Sequence, residues 1–447
     1  MQQKLFSDRA LVRLMIPLIV EQALTILVGM CDGVMVSTVG EAAISGVSLV
    51  DMINTVVLTL FAALATGGAV VTSQFLGARQ QEKARQSAAQ LVLMSGTTGL
   101  AVAVLCLVFA REVMRLFFGS ISDEVMEAGL IYLRITALSF PFIALYNAGA
   151  AIFRSVGNSK ISMKVSLLMN AINVVGNAFC IFVLKMGVAG VAVPTLVSRM
   201  VAAVVILALA CDKRQQLSLK KAYLGSVDRR MMGNILRIGV PSAFENAFFQ
   251  LGRLIVVSMI ALFGTTQTSA NAVANTLDSI GVIIGQAMGL AMVTVVGQSV
   301  GAGDVEQTKY YTKKLMIWTY IMQGLSNVLI ILFVDQLIGF YSSLSEETVE
   351  LARTLVLIHT SCAIVMWPAS FVLPNALRAA NDVKFTMYVG IGSMVAFRIA
   401  GSWILCVSMG MGAVGVWIAM VADWICRISF FLPRMISGKW KSKYASV

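Results

Sequence analysis

Long apolar runs broken by short polar segments fill this chain from end to end. Residues 52–78, 86–110, 135–153, 165–184, 254–277, 279–303, 315–334 and 354–377 each lack Asp, Glu, Lys and Arg. A helix that crosses a bilayer needs roughly 20 mainly apolar residues, so these runs predict spanning helices. Twelve are read, near 10–38, 45–76, 87–110, 128–153, 162–184, 188–211, 232–262, 267–300, 312–334, 350–377, 385–408 and 412–434. Composition agrees, with 58% hydrophobic and 13% charged residues, against about 25% charged in soluble domains. The predicted fold class is an all-α polytopic membrane protein. The first run lacks a small-residue cleavage site and is too long for a signal-peptide core, so a retained helix is expected.

A net charge of +12 first points to an anionic partner, but its distribution does not. With the N-terminus inside, 25 of the 34 basic residues fall on cytoplasmic segments, including the cluster from Lys213 to Arg237. The outer loops carry Arg111, Arg115, Lys185 and Arg353 beside a larger number of acids. This is the positive-inside bias that orients membrane proteins. It predicts cytoplasmic termini and a multi-pass protein of the plasma (inner) membrane, with the lipid bilayer as partner and no nucleic acid. The seven cysteines lie in or beside apolar runs without a CxxC pair, so neither disulfides nor a zinc site are expected.

An internal repeat is the most informative feature. Shifted by 224, Arg13 falls on Arg237, Pro17 on Pro241, Glu21 on Glu245, Gly40 on Gly264, Gln74 on Gln298 and Gly77 on Gly301. The register returns with Arg154 on Arg378, Lys160 on Lys384 and Met163 on Met387. After one inserted residue, Gly187 and Gly190 meet Gly412 and Gly415. An even number of spans per half predicts two pseudo-symmetric six-helix lobes in parallel orientation, a known scheme of secondary transporters. The lobes are expected at 1–211 and 232–434, joined by a basic linker, 212–231, and followed by a basic tail, 435–447.

Several short segments then carry a family resemblance. They include Gly29-Met-Cys-Asp32-Gly, Gln74-Phe-Leu-Gly77-Ala, Phe153-Arg-Ser-Val-Gly157-Asn, Asn170-Ala-Ile-Asn173-Val-Val-Gly-Asn177, Gly239-Val-Pro241-Ser and Leu377-Arg-Ala-Ala-Asn-Asp382. In this order, over essentially the whole chain, they resemble the multidrug and toxic compound extrusion (MATE) transporters. The resemblance implies an antiporter that exports amphipathic, cationic organic compounds in exchange for H+ or Na+ by alternating access. It implies no other cofactor, no ATPase subunit and no enzymatic activity, and a monomer is expected. A lipid-linked saccharide flippase of the related superfamily is the alternative, and a receptor or scaffold a third class. No GxxxxGK[ST] loop for nucleotide occurs.

Ionisable groups within spans are costly and mark candidate sites. Asp32 lies about 33 Å along the first helix, Asn173 and Asn177 about 17–23 Å along the fifth, and Thr195 about 10 Å down the sixth. One carboxylate and three neutral oxygens at one depth suit a monovalent cation or a proton on a hydrogen-bonded acid. The resemblance places an N-lobe cation or proton site on Asp32, Asn173 and Thr195, with Asn177 where a second aspartate is usual. That substitution favours protons over sodium; no metal is expected beyond Na+ at Asp32. Glu21 and Glu245 follow Pro17 and Pro241, which remove a backbone hydrogen bond and can bend their helices. Both acids are expected near the midplane, lining a substrate cleft with Gln22, Asn246, Gln250 and Arg253, unless Arg253 pairs with Glu245. Asp51 and Asp278 are expected to be satisfied by water or a cap, and Asp423 by Arg427 four residues on. His359 reads as hydrogen-bonded packing, and Arg154 and Arg378 as topology determinants or latches.

Overall fold

The computed structural model describes residues 4–119, 122–341 and 344–443, which form helices and turns with no strand among them. The first half contains α1 (Asp8–Ser37), α2 (Glu41–Gly77), α3 (Gln81–Val108), the short α4 (Ala110–Phe118), α5 (Asp123–Leu138), α6 (Phe140–Ser155), α7 (Ser159–Ala178) and α8 (Ala189–Cys211). The one-turn α9 (Lys221–Leu224) leads to α10 (Arg229–Ala261), α11 (Thr265–Gly281), α12 (Ile283–Gly301) and α13 (Val305–Leu332). Then come α14 (Val334–Gly339), α15 (Glu346–Trp367), α16 (Leu373–Ala379), α17 (Val383–Ser393) and α18 (Gly412–Ile436). Wider π-helical turns extend α7 over Phe179–Val183, join α15 to α16 over Pro368–Val372, and continue α17 over Met394–Gly401 and Trp403–Ser408. Among the described residues eleven helices are long and apolar enough to cross a membrane, or twelve if α5 and α6 form one span.

Two predicted spans are not single helices. The fourth is bent by 45° between α5 and α6. Pro141 stands in the first turn of α6 and has no N–H to continue the ladder. The Ser139 hydroxyl instead donates to the Thr136 carbonyl at 2.6 Å. The eighth divides at Val282 into α11 and α12. Pro17 and Pro241 both lie inside helices that continue past them.

The chain forms two compact units, Asp8–Ala243 and Phe244–Val447, the second including the N-terminal segment up to Ser7. In the first, α1 packs on α7, α7 on α8, and α2 on α3, α5 and α6. Association inside a membrane relies on close packing of small residues. A Cβ on Gly46 would stand 2.8 Å from the Gly129 amide nitrogen, and one on Gly99 2.8 Å from Pro141 Cα. In the second unit α11 packs on α15, α12 on α13 and α16, and α18 on α15 and the π-turns. Trp417, Trp424, Met420 and Leu355 are among the residues filling its core.

The duplication reaches single backbone angles. Gly187 and Gly412, just before α8 and at the start of α18, both have φ 59°, a region glycine enters without steric cost. Three residues later, a Cβ on Gly190 would lie 3.2 Å from the Cys180 carbonyl carbon, and one on Gly415 2.8 Å from that of Leu405. In each unit a glycine lets the last helix press against the π-turn of the helix before it.

Candidate functional site

The first unit assembles a polar chain from three helices. Asn177 Nδ2 donates to Asp32 Oδ1 at 2.8 Å and lies 3.3 Å from Asn173 Oδ1. Asn173 Nδ2 in turn donates to Thr195 Oγ1 at 3.0 Å. The local sequence explains the arrangement. Asn173 and Asn177, four apart, share one face of α7. Between them Gly176 admits Pro194 of α8: a Cβ there would stand 2.7 Å from the proline ring. That close approach brings the neighbouring Thr195 within reach of Asn173. Asn177 Oδ1 is buried without a hydrogen-bond partner. The donor set of one carboxylate, amide oxygens and a hydroxyl fits a hard monovalent cation or a proton.

Asp51 of α2 and Arg199 of α8 lie within electrostatic reach of Asp32. Instead of a helix cap, Asp51 accepts hydrogen bonds from the Tyr132 hydroxyl at 3.1 Å and from Asn54 Nδ2 at 3.2 Å. Arg199 donates to Ser139 Oγ at 2.7 Å. The surroundings of Asp32 thus hold one further acid and one arginine.

Glu21 and Glu245 are each committed within their own unit. Glu21 is buried, with Arg154 3.5 Å from Oε1, Tyr146 donating to Oε1 at 3.3 Å and Ser162 donating to Oε2 at 2.9 Å. Glu245 is buried with Arg378 at 2.7 Å and Arg427 at 4.0 Å. The alternative in which Arg253 pairs with Glu245 is not what the structure has: Arg253 is exposed, and Arg378 stands against Glu245. Arg154 and Arg378 are therefore neither bare topology determinants nor latches but partners of buried acids. Both members of each pair map onto the other pair under the shift of 224. That coincidence was the available signal, and reading each duplicated residue alone misses it. Gln22, Asn246 and Gln250 are half-buried, and no side-chain hydrogen bond joins them to either glutamate among the described residues.

The remaining interior acids of the second unit are also paired. Asp278 is not left to water: His359 Nε2 stands 2.5 Å from Asp278 Oδ1. The imidazole is boxed by Trp417 and Trp424, with ring centroids 5.7 and 5.0 Å away. Asp423 binds Arg427 Nε at 3.1 Å within α18. The guanidinium of Arg427 also lies over the rings of Phe249 and Phe371.

The MatE family profile matches residues 17–179 and again 241–404. The chain belongs to the MatE family. The two matches begin at the duplicated prolines, 224 residues apart, so the family unit is the repeat read from the sequence. This MatE protein is 28% identical over 438 residues to the uncharacterized transporter YisQ of Bacillus subtilis (strain 168), covering 96% of the chain and 92% of the relative. It is 26% identical over 444 residues to a probable multidrug resistance protein NorM of Thermotoga maritima, covering 97% and 93%. A crystal structure of a MATE protein in the bent conformation matches with a TM-score of 0.87 at 22% identity, covering 98% of this chain and 97% of that one. The protein is thus a multi-pass member of a membrane transporter family with the twelve-helix MATE fold.

Proposed function

We propose that this MatE protein is a secondary antiporter that exports amphipathic organic compounds in exchange for H+ or Na+ bound at Asp32. The observation that carries the reading is the hydrogen-bonded run Asp32–Asn177–Asn173–Thr195 across α1, α7 and α8. Its relative NorM of Thermotoga maritima, described as a probable multidrug resistance protein, supports the export of varied compounds. Ion binding at Asp32 biases α1 between two packings, the differential interaction that ion-linked transport requires. With Asn177 in place of a second carboxylate, the site favours a proton. The basic bias of the segments assigned to the inner face supports cytoplasmic termini.

A cation-selective cleft was expected to rest on Glu21 and Glu245. Both charges are balanced by arginine, so neither glutamate supplies a free anionic charge for substrate. The test of the coupling assignment is export from proteoliposomes under separately imposed proton and sodium gradients. Proton-driven export should persist without sodium and vanish in Asp32→Asn. Sodium-driven export with the proton gradient collapsed would overturn the proton assignment, and unchanged activity in Asp32→Asn would remove the site.

A further inference from the structure

Away from the ends of the spans read for the second unit, the acids are Glu245, Asp278 and Asp423, and each has its own partner: Arg378, His359 and Arg427. Two arginines remain. Arg253 of α10 and Arg398 of the π-turn after α17 make no ion pair or side-chain hydrogen bond among the described residues, and Arg398 Nε is buried without a partner. The helices that carry them are packed closely: a Cβ on Gly252, next to Arg253, would overlap Met394, four residues before Arg398. Arg398 lies within electrostatic reach of Arg253 as well as Arg427. Each of the two lies about 12–15 Å before the end of its helix. Uncompensated guanidinium groups are costly at such a depth, and a planar fork of N–H donors is suited to carboxylate or phosphate oxygens.

We propose that Arg253 and Arg398 form an oxyanion-binding site that receives the carboxylate or phosphate of the exported compound, so that the substrate is an anionic or zwitterionic amphiphile. The proposal rests on the antiporter reading but uses different residues. Asp423 and Asp278 also act electrostatically on Arg398, but Asp423 already holds Arg427 at 3.1 Å and Asp278 stands against His359, and with Arg378 on Glu245 the four arginines outnumber the three acids. The positive excess of the cluster therefore stays on the two unpaired arginines.

The full-length protein in phosphatidylcholine nanodiscs is titrated with dansylglycine and with dansylglycinamide, which lacks the carboxylate, and binding is read by dansyl fluorescence. Wild type should prefer the carboxylate by about tenfold, a modest share of what charge-assisted pairs contribute. Arg398→Gln and Arg253→Gln should each reduce that preference towards unity with amide affinity unchanged, and Arg398→Lys should keep part of it. Should Arg398→Gln fail to fold, the exposed Arg253 carries the test. Added phosphatidylglycerol that displaces dansylglycine from wild type but not from Arg253→Gln identifies lipid phosphate as an occupant; no displacement points to a soluble oxyanion, and both support the site. Equal binding of the two ligands by wild type, or an undiminished preference in both glutamine variants, would overturn it. Asp32→Asn should leave the preference intact, which separates a failure here from a failure of the coupling assignment.

Discussion

The two units share an origin and a buried Glu–Arg pair, yet where one carries Asp32 the other carries Val256. The same shift puts Phe397 opposite Asn173 and Gly401 opposite Asn177; allowing the inserted residue, it puts Arg398 and Ser402 there. Thr195 falls on Met420. The cation-type donor set of the first unit is therefore absent from the second, which has surplus arginines instead. What both copies keep is what each bundle needs to close: a paired buried acid, a glycine at φ 59° and a glycine against a π-turn. What only one copy has is where function is to be sought.

The largest effect should come from breaking a shared pair. Arg154→Ala leaves the buried Glu21 without an ion-pair partner, and Arg378→Ala leaves Glu245 with only Arg427 at 4.0 Å; each should cost about 3–5 kcal/mol, against much less for Glu21→Gln combined with Arg154→Gln. Thermal unfolding in detergent checks this. Equal, large losses in both units with ion binding retained by the survivors would confirm a structural role, whereas a loss confined to one unit would break the comparison. Next, Asn177→Asp should sharpen the difference at Asp32 by restoring a second carboxylate. Sodium binding measured with a radiolabelled ion should tighten by about tenfold, one close charge contact at a high effective dielectric.

His359→Gln should lower stability by about 1–3 kcal/mol, because Asp278 loses its buried partner. Asp32-dependent export should survive it in the vesicle assay. The smallest effect separates the two glycines of identical φ. Gly187→Ala should cost about 1 kcal/mol from backbone strain alone. Gly412→Ala should cost more, since its Cβ would stand 2.8 Å from Gln267 Oε1, while that of Gly187 meets only Val39 at 4.0 Å. Unfolding midpoints of the two variants decide it.

Hydropathy made the spans legible because lipid imposes one length and one chemistry on every helix. It could not show the break at Ser139 or Val282, since a bent span is as apolar as a straight one. Depth along a helix put Asp32, Asn177, Asn173 and Thr195 at one level, and hydrogen bonds run through the four. Azimuth was the missing coordinate. Glu21 and Arg154 are far apart in sequence and meet only because α1 packs beside the helices that carry Tyr146 and Ser162. The Asp278–His359 contact was hidden for the same reason.

Two π-turns of the second unit, Met394–Gly401 and Trp403–Ser408, occupy the interval in which that copy holds one residue more than the first, between Met387 and Gly412. A π-turn accommodates an extra residue without ending the helix, and each added residue turns the following side chains by about 100°. An insertion of this kind acts as an axial ratchet. It rotates the distal half of a membrane helix by one click, so that a stripe that faced a neighbour in the ancestral copy is presented to new surroundings. Duplicated transporters could in this way acquire asymmetric chemistry from a single codon, with no substitution at the residues that end up facing the pathway.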